Sequence, residues 1–156
     1  MANTIFGTDK KDVLIGTNGD DYIDGMKGND TIRGRGGDDM LIDGPGNDRV
    51  FGNAGDDTLN HWIGNDDLKE RNTFDLGPGD DSLFVDVFAD KPNIGRLLFD
   101  AVRGVFGFTK TSGQSTIRSI ENFEAFCDYN VTAIGTNSAN RFLGGWGNDI
   151  LRGNGG

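Results

Sequence analysis

Seven aspartates recur at a spacing of nine residues: Asp12, Asp21, Asp30, Asp39, Asp48, Asp57 and Asp66. Two residues before each stands a glycine (Gly19, Gly28, Gly37, Gly46, Gly55, Gly64), with Lys10 the exception. Two residues after each stands an apolar side chain, from Leu14 through Ile23, Ile32, Leu41, Val50 and Leu59 to Leu68. Asp is the shorter carboxylate and suits tight turns and ion cages. Calcium, a hard cation, takes six to eight oxygens and mixes carboxylates with backbone carbonyls. Glycine lets a backbone turn its carbonyls inward. The expected calcium ligands are therefore the seven aspartates, with Asp81 and Asp149 from two further units. Carbonyls near Gly16, Gly19, Gly25, Gly28, Gly34, Gly37, Gly46, Gly52, Gly55 and Gly64 complete the set.

A short fixed period defines a solenoid. In a unit such as Gly25–Arg33, six residues rich in Gly and Asp form a turn, and three centred on an apolar residue form a strand. Strand alternation turns the apolar side chain inward. Two units make one 18-residue coil, and coils stack about 4.8 Å apart. The chain is thus expected to be all-β, a parallel β-roll. Aspartates 18 apart then pair as Asp12–Asp30, Asp21–Asp39, Asp30–Asp48, Asp39–Asp57 and Asp48–Asp66, which predicts four or five calcium ions in two rows. Asp81 has Ile63 and Phe99 at 18 residues and no in-phase partner; Asp149 has Val131 behind it. Without the ion, carboxylates about 5 Å apart repel by roughly 3 kcal/mol at an effective dielectric near 20. Ion binding is accordingly expected to drive folding.

Three segments follow from the pattern. Residues 1–84 are the first roll block, although residues 70–75 break its phase. Residues 85–134 carry little Gly and much Phe: seven of the eleven Phe lie from Phe84 to Phe126. This stretch is expected to continue the solenoid with longer strands and to supply core. A helix is the rival reading there, because Ile94, Leu97, Leu98, Ala101, Val102 and Val105 fall at helical spacing after Pro92. Residues 135–156 begin a second block, with Asn140 at the Asp position of a degenerate unit and Gly144–Arg152 a full match. That block stops in mid-repeat, so a fragment of a longer protein is expected.

Composition narrows the function. The net charge of −10 disfavours nucleic acid and anionic membranes as partners. No apolar run approaches membrane-spanning length, so no membrane insertion is expected. The N-terminus has no secretory signal pattern. Asp supplies nearly all the acid, since the only Glu residues are Glu70, Glu121 and Glu124. No Glu closes an EF-hand loop. Single His and Cys residues and no nucleophile–base pair argue against an enzyme. Cys127 reads as a small buried apolar residue. Trp62, Trp146 and His61 read as turn residues used for end packing or surface.

The unit Gly-Gly-x-Gly-x-Asp-x-Leu-x stands complete at Gly144–Arg152 and with substitutions at Gly16–Asp24, Gly25–Arg33, Gly34–Ile42 and Gly52–Asn60. It resembles the repeats-in-toxin (RTX), or hemolysin-type, calcium-binding nonapeptide. Ser119–Phe123 is similar to segments that link RTX arrays. The resemblance implies a right-handed β-roll that folds on calcium outside the cell, export from bacteria by the type I secretion machinery, and a C-terminal export signal. Lys10, Asp43 and His61 depart from the pattern by replacing glycines. The expected function is a non-catalytic calcium-binding module of a secreted, extracellular bacterial protein. Two other readings stay open. One is an accessory roll of a secreted hydrolase or polysaccharide-modifying enzyme; the other is a segment of an adhesin or surface-layer protein. Their partners would be a polysaccharide or a cell surface.

Overall fold

A computed structural model describes residues 3–64, 70–88, 95–110 and 114–155. Among the described residues, each short apolar triplet of the repeat forms a strand, and each Gly/Asp stretch turns the chain over to the opposite sheet. The first sheet is β1 (Thr4–Phe6), β3 (Tyr22–Asp24), β5 (Met40–Ile42), β7 (Thr58–Ile63), β9 (Ser82–Val87), β13 (Asn122–Phe126) and β15 (Arg141–Leu143), in that order. The second is β2 (Val13–Ile15), β4 (Thr31–Gly36), β6 (Arg49–Ala54), β8 (Thr73–Asp75), β12 (Ser115–Arg118), β11 (Val105–Phe108), β10 (Leu97–Asp100), β14 (Val131–Ile134) and β16 (Ile150–Arg152). This is the expected β-roll. Its array strands pair in parallel with the 18-residue register, Ile5 on Ile23, Leu14 on Ile32 and Leu41 on Leu59.

One apolar side chain per unit forms the core of the array. Ile23, Ile32, Leu41, Val50 and Leu59 are fully buried, while their strand neighbours face outward. The register then lengthens. Val50 pairs with Phe74 and Leu59 with Leu83, both 24 residues on. Six extra residues have entered this coil without breaking either sheet.

Among the described residues the Phe-rich stretch is strand, not helix; Ile94 of the helical reading lies outside them. β10 and β11 pair antiparallel around a turn at residues 101–104, where Gly104 takes φ 68°. β11 pairs antiparallel with β12, and β12 returns to parallel pairing on β8. The helical spacing of Ala101, Val102 and Val105 is therefore incidental; the chain reverses just where a helix would continue. This hairpin widens the second sheet by two strands. Its Phe99, Phe106 and Phe108 fill the core together with Phe74 of β8 and Phe123 of β13: all five are essentially inaccessible, and Phe99 stacks on Phe123 at 4.7 Å between centroids. Cys127 is buried among them as a free thiol.

His61 and Trp62 lie in β7, not in a turn as the repeat phase had suggested. Trp62 faces outward, whereas His61 is buried, with its Nδ1 2.7 Å from Asp43 Oδ2 and its ring against Phe74 and Phe106. Asp43 and His61, both at first-glycine positions, thus pair across one coil through Asp43 Oδ2. Trp146 is the residue that stays exposed in a turn.

Candidate metal sites

The aspartates form two hydrogen-bonded ladders along the edges of the roll. On one edge the Asp12 N–H donates to Asp30 Oδ1 (2.8 Å), Asp30 N–H to Asp48 Oδ1 (2.7 Å) and Asp48 N–H to Asn72 Oδ1 (2.7 Å). On the other, Asp21 N–H donates to Asp39 Oδ1 (2.8 Å), Asp39 N–H to Asp57 Oδ1 (2.9 Å) and Asp57 N–H to Asp81 Oδ1 (2.7 Å). Each side chain therefore spends one oxygen on the coil before it.

Two expected pairings need correction. Asp48 stacks on Asn72, 24 residues away, rather than on Asp66, which lies outside the described residues. Asp81 is in phase after all: the same insertion places it on Asp57. Asp149 does lie over Val131, whose N–H donates to its Oδ1 at 2.8 Å.

The second oxygen of each aspartate divides the turns into two kinds. Asp12 Oδ2 accepts from the N–H (2.6 Å) and hydroxyl (2.8 Å) of Thr8, and Asp21 Oδ2 from those of Thr17 (2.5 and 3.0 Å). In the later units the residue at the threonine place takes the left-handed conformation instead: Met26 (φ 67°), Arg35 (86°), Gly44 (77°), Asn53 (78°) and Gly77 (98°). There the Oδ2 atoms of Asp30, Asp39, Asp48, Asp57 and Asp81 are buried with no hydrogen-bond partner. These five residues are at most 2 % exposed. A buried, unpaired carboxylate oxygen is costly unless something neutralises it.

The surroundings fit a hard cation. A Cβ added at Gly25 would lie 2.6 Å from Asp43 O and 3.1 Å from Asp30 Oδ2. At Gly34 it would meet Asp39 Oδ2, with Gly52 O at 2.8 Å; at Gly52 it would meet Asp57 Oδ2, with Leu76 O at 2.5 Å. The missing side chain at Gly25, Gly34 and Gly52 thus lets each one's own aspartate and a carbonyl of the next coil close in on the place a Cβ would take. The second glycine allows a like approach: at Gly28 the neighbours of that place are Lys10 O (2.5 Å) and Asp30 Oδ1 (2.8 Å). Among the described residues no three acidic, His or Cys side chains gather as a metal cluster. Carbonyls must supply the remaining ligands, as calcium accepts and softer metals do not.

Electrostatics agree. Burial, reinforced by neighbouring carboxylates, lifts Asp39 to about 6, Asp81 to about 7 and Asp48 to about 8. Burial raises Asp30 and Asp57 as well. In Asp21 burial also pushes upward, but the backbone bonds from Thr17 and Asn3 outweigh it and the net shift is down. For His61, burial disfavours the cation, yet the charge and hydrogen bond of Asp43 leave its pKa raised.

The sequence reading missed a third set of residues. The position before each periodic aspartate is Asp or Asn, with Lys11 before Asp12 the exception, and its side chain accepts from the N–H of the following coil in the bonds below. Asp38 N–H donates to Asp20 Oδ1, Asp56 N–H to Asp38 Oδ1 and Asp80 N–H to Asp56 Oδ1, each at 2.9 Å. Asn47 N–H donates to Asn29 Oδ1 at 2.9 Å on the opposite edge. The run Asp20, Asn29, Asp38, Asn47, Asp56 and Asp80 was visible in the sequence as a second periodic column.

The model of the RTX calcium-binding nonapeptide repeat (4 copies) matches residues 2–32, 33–68 and 132–156, more than half of the chain. No curated protein sequence matches. Among solved structures, the chain is similar to the AlgE6R3 subunit of the Azotobacter vinelandii mannuronan C5-epimerase, determined in solution. That match has 24 % identity over 71 % of this chain and 72 % of the other, with a TM-score of 0.44.

Proposed function

The chain belongs to the RTX calcium-binding nonapeptide repeat family, and we propose that it serves as a non-catalytic folding module of a secreted bacterial protein, with extracellular calcium as the trigger. The observation that carries this reading is the set of partnerless buried Oδ2 atoms on Asp30, Asp39, Asp48, Asp57 and Asp81. Each opposes folding until a cation neutralises it, so binding free energy becomes folding free energy. Four of the five lie within the array. Asp30 and Asp48 would hold ions on one edge, Asp39 and Asp57 on the other, with the first-position carbonyls completing each shell. Asp12 and Asp21, already bonded to threonine, contribute less.

Low calcium inside a bacterium would keep such a chain unfolded and fit for one-step type I export. Millimolar calcium outside would fold it. Isothermal titration calorimetry tests the ligand assignment. Four or five calcium ions should bind, with affinities around 10⁻⁴ to 10⁻³ M, and magnesium should not compete because it demands a tight octahedron and keeps its waters. One ion only, or equal binding of magnesium, would contradict it. The export claim has its own test: the protein should accumulate in the medium of its bacterial host, and retention in the cytoplasm would count against it.

A groove of about 340 Å³ favours a second role, engagement of a polysaccharide. It crosses β9, β13 and β15 and is lined by Phe84, Asn122, Glu124, Asn140, Arg141 and Leu143, an aromatic ring among planar hydrogen-bonding groups. Titration with acidic and neutral oligosaccharides, followed by NMR at these residues, should shift them. No shift with any sugar would remove the reading.

A further inference from the structure

The fifth partnerless oxygen lies beyond the nonapeptide array. Asp81 is completely buried, and its Oδ2 has no hydrogen-bond partner. In the regular coils this atom lies between its own first position and the first-position carbonyl of the next coil, as Asp57 Oδ2 does between Gly52 and Leu76 O. For Asp81 the next coil is not a repeat unit. It is the three-residue turn Ser119, Ile120, Glu121 between β12 and β13. This turn packs directly on the Asp81 coil. Leu76 N–H donates to Arg118 O at 3.4 Å, and the N–H groups of Glu121 and Asn122 donate to Asp81 O at 3.1 and 2.9 Å.

Glu121 takes the next rung of the ladder. Asp81 N–H donates to Glu121 Oε2 at 3.1 Å, the same kind of bond that Asp30, Asp39, Asp48, Asp57 and Asp81 each receive from the coil before. A glutamate has one more methylene than an aspartate. The turn here is three residues shorter than a repeat turn, and the longer side chain spans the difference. Asn122 adds a second link, since its Nδ2 donates to Asp80 Oδ1 at 2.9 Å. Both edges differ at this level: the other ladder continues with Asn72 and then Ser115, two uncharged side chains. On the Asp81 edge the ladder itself carries a carboxylate, Glu121, across the boundary of the array, whereas on the other edge Glu70 Oε1 accepts from the Gly46 N–H at 2.6 Å.

We propose that Asp81 and Glu121 together hold one further divalent, oxygen-seeking cation of the calcium class, in the gap between the last coil of the first array and the Ser119–Glu121 turn. The ion would fasten the Phe-rich segment to the array, because Glu121 stands directly before β13 and Phe123 of the core. The inference rests on the calcium-dependent reading above and extends it to a residue outside the nonapeptide.

Equilibrium dialysis with radioactive calcium tests it on the whole chain. Glu121→Gln keeps an oxygen to accept the Asp81 N–H and removes only the charge. It should bind one ion fewer than the wild type. An undiminished ion count in a folded Glu121→Gln protein would overturn the site and make Glu121 a plain cap, leaving the array reading intact. No calcium bound by the wild type would overturn both. If Glu121→Gln fails to fold, wild-type crystals grown with terbium decide the matter. An anomalous peak in contact with both Asp81 and Glu121 supports the site, and none there refutes it.

Discussion

Threonine at the second place of a turn decides what the aspartate four residues later is free to do. Thr8 and Thr17 bond Asp12 and Asp21 through both N–H and hydroxyl, whereas Met26, Arg35, Gly44, Asn53 and Gly77 release the corresponding oxygen. Asp57 now belongs to two stacked pairs, with Asp39 before it and Asp81 after it. Asp57→Ala should therefore raise the calcium midpoint as much as Asp39→Ala, by the equivalent of at least about 1.5 kcal/mol, the lower range for a lost charge-assisted hydrogen bond. Asp21→Ala should do clearly less. Calcium titrations followed by circular dichroism would rank the three, and Asp21→Ala as the most damaging would refute the division of turns. Gly34→Ala is a sharper probe. Its added methyl would collide with Asp39 Oδ2 and crowd Gly52 O, so both oxygens must shift and one ion should be lost with every carboxylate still present. An unchanged ion count would show that these oxygens are not ligands. The aspartates and glycines were plain in the sequence from their period. The threonines were equally visible, but only the backbone conformation gives them meaning.

At the scale of elements, the surprises came from changes of register. Counting by 18 left Asp81 without a partner, because the count ran straight through the extra residues between Gly64 and Thr73. β-pairing is set by neighbours in space, so Leu59 finds Leu83 and carries Asp57 onto Asp81. Apolar spacing likewise could not separate strand from helix around Leu97–Val105, since both place Leu97 and Phe99 or Ala101 inward. The antiparallel hairpin is fixed by the sheet that receives it. His61 and Asp43 looked like two independent lapses from glycine, yet β5 and β7 set them one above the other. Removing one member of a buried charged pair costs about 3–5 kcal/mol. His61→Ala, which strands Asp43, should lose stability of that order in saturating calcium. Urea denaturation would measure it, and a loss below about 1 kcal/mol would mean that the pair is dispensable.

For the molecule as a whole, metal-free stability should depend on pH in an unusual sense. Asp39, Asp81 and Asp48 have folded-state values of about 6, 7 and 8, against an ordinary value of 3.8. The folded chain therefore binds more protons than the unfolded chain between about pH 4 and 8, and its stability falls as pH rises through that window. In chelator the strand signal should be greater at pH 5 than at pH 8; the reverse order would contradict the buried carboxylates. Calcium inverts the trend, because it needs those groups deprotonated. A stack of coils also communicates only through neighbours, so each bound ion supports the next coil. The most direct test of calcium-coupled folding is far-ultraviolet circular dichroism of the chain in chelator and in millimolar calcium at pH 7.5. Strand signal should be largely absent in chelator, appear with calcium and fail to appear with magnesium. Identical strand spectra in chelator and calcium would contradict it.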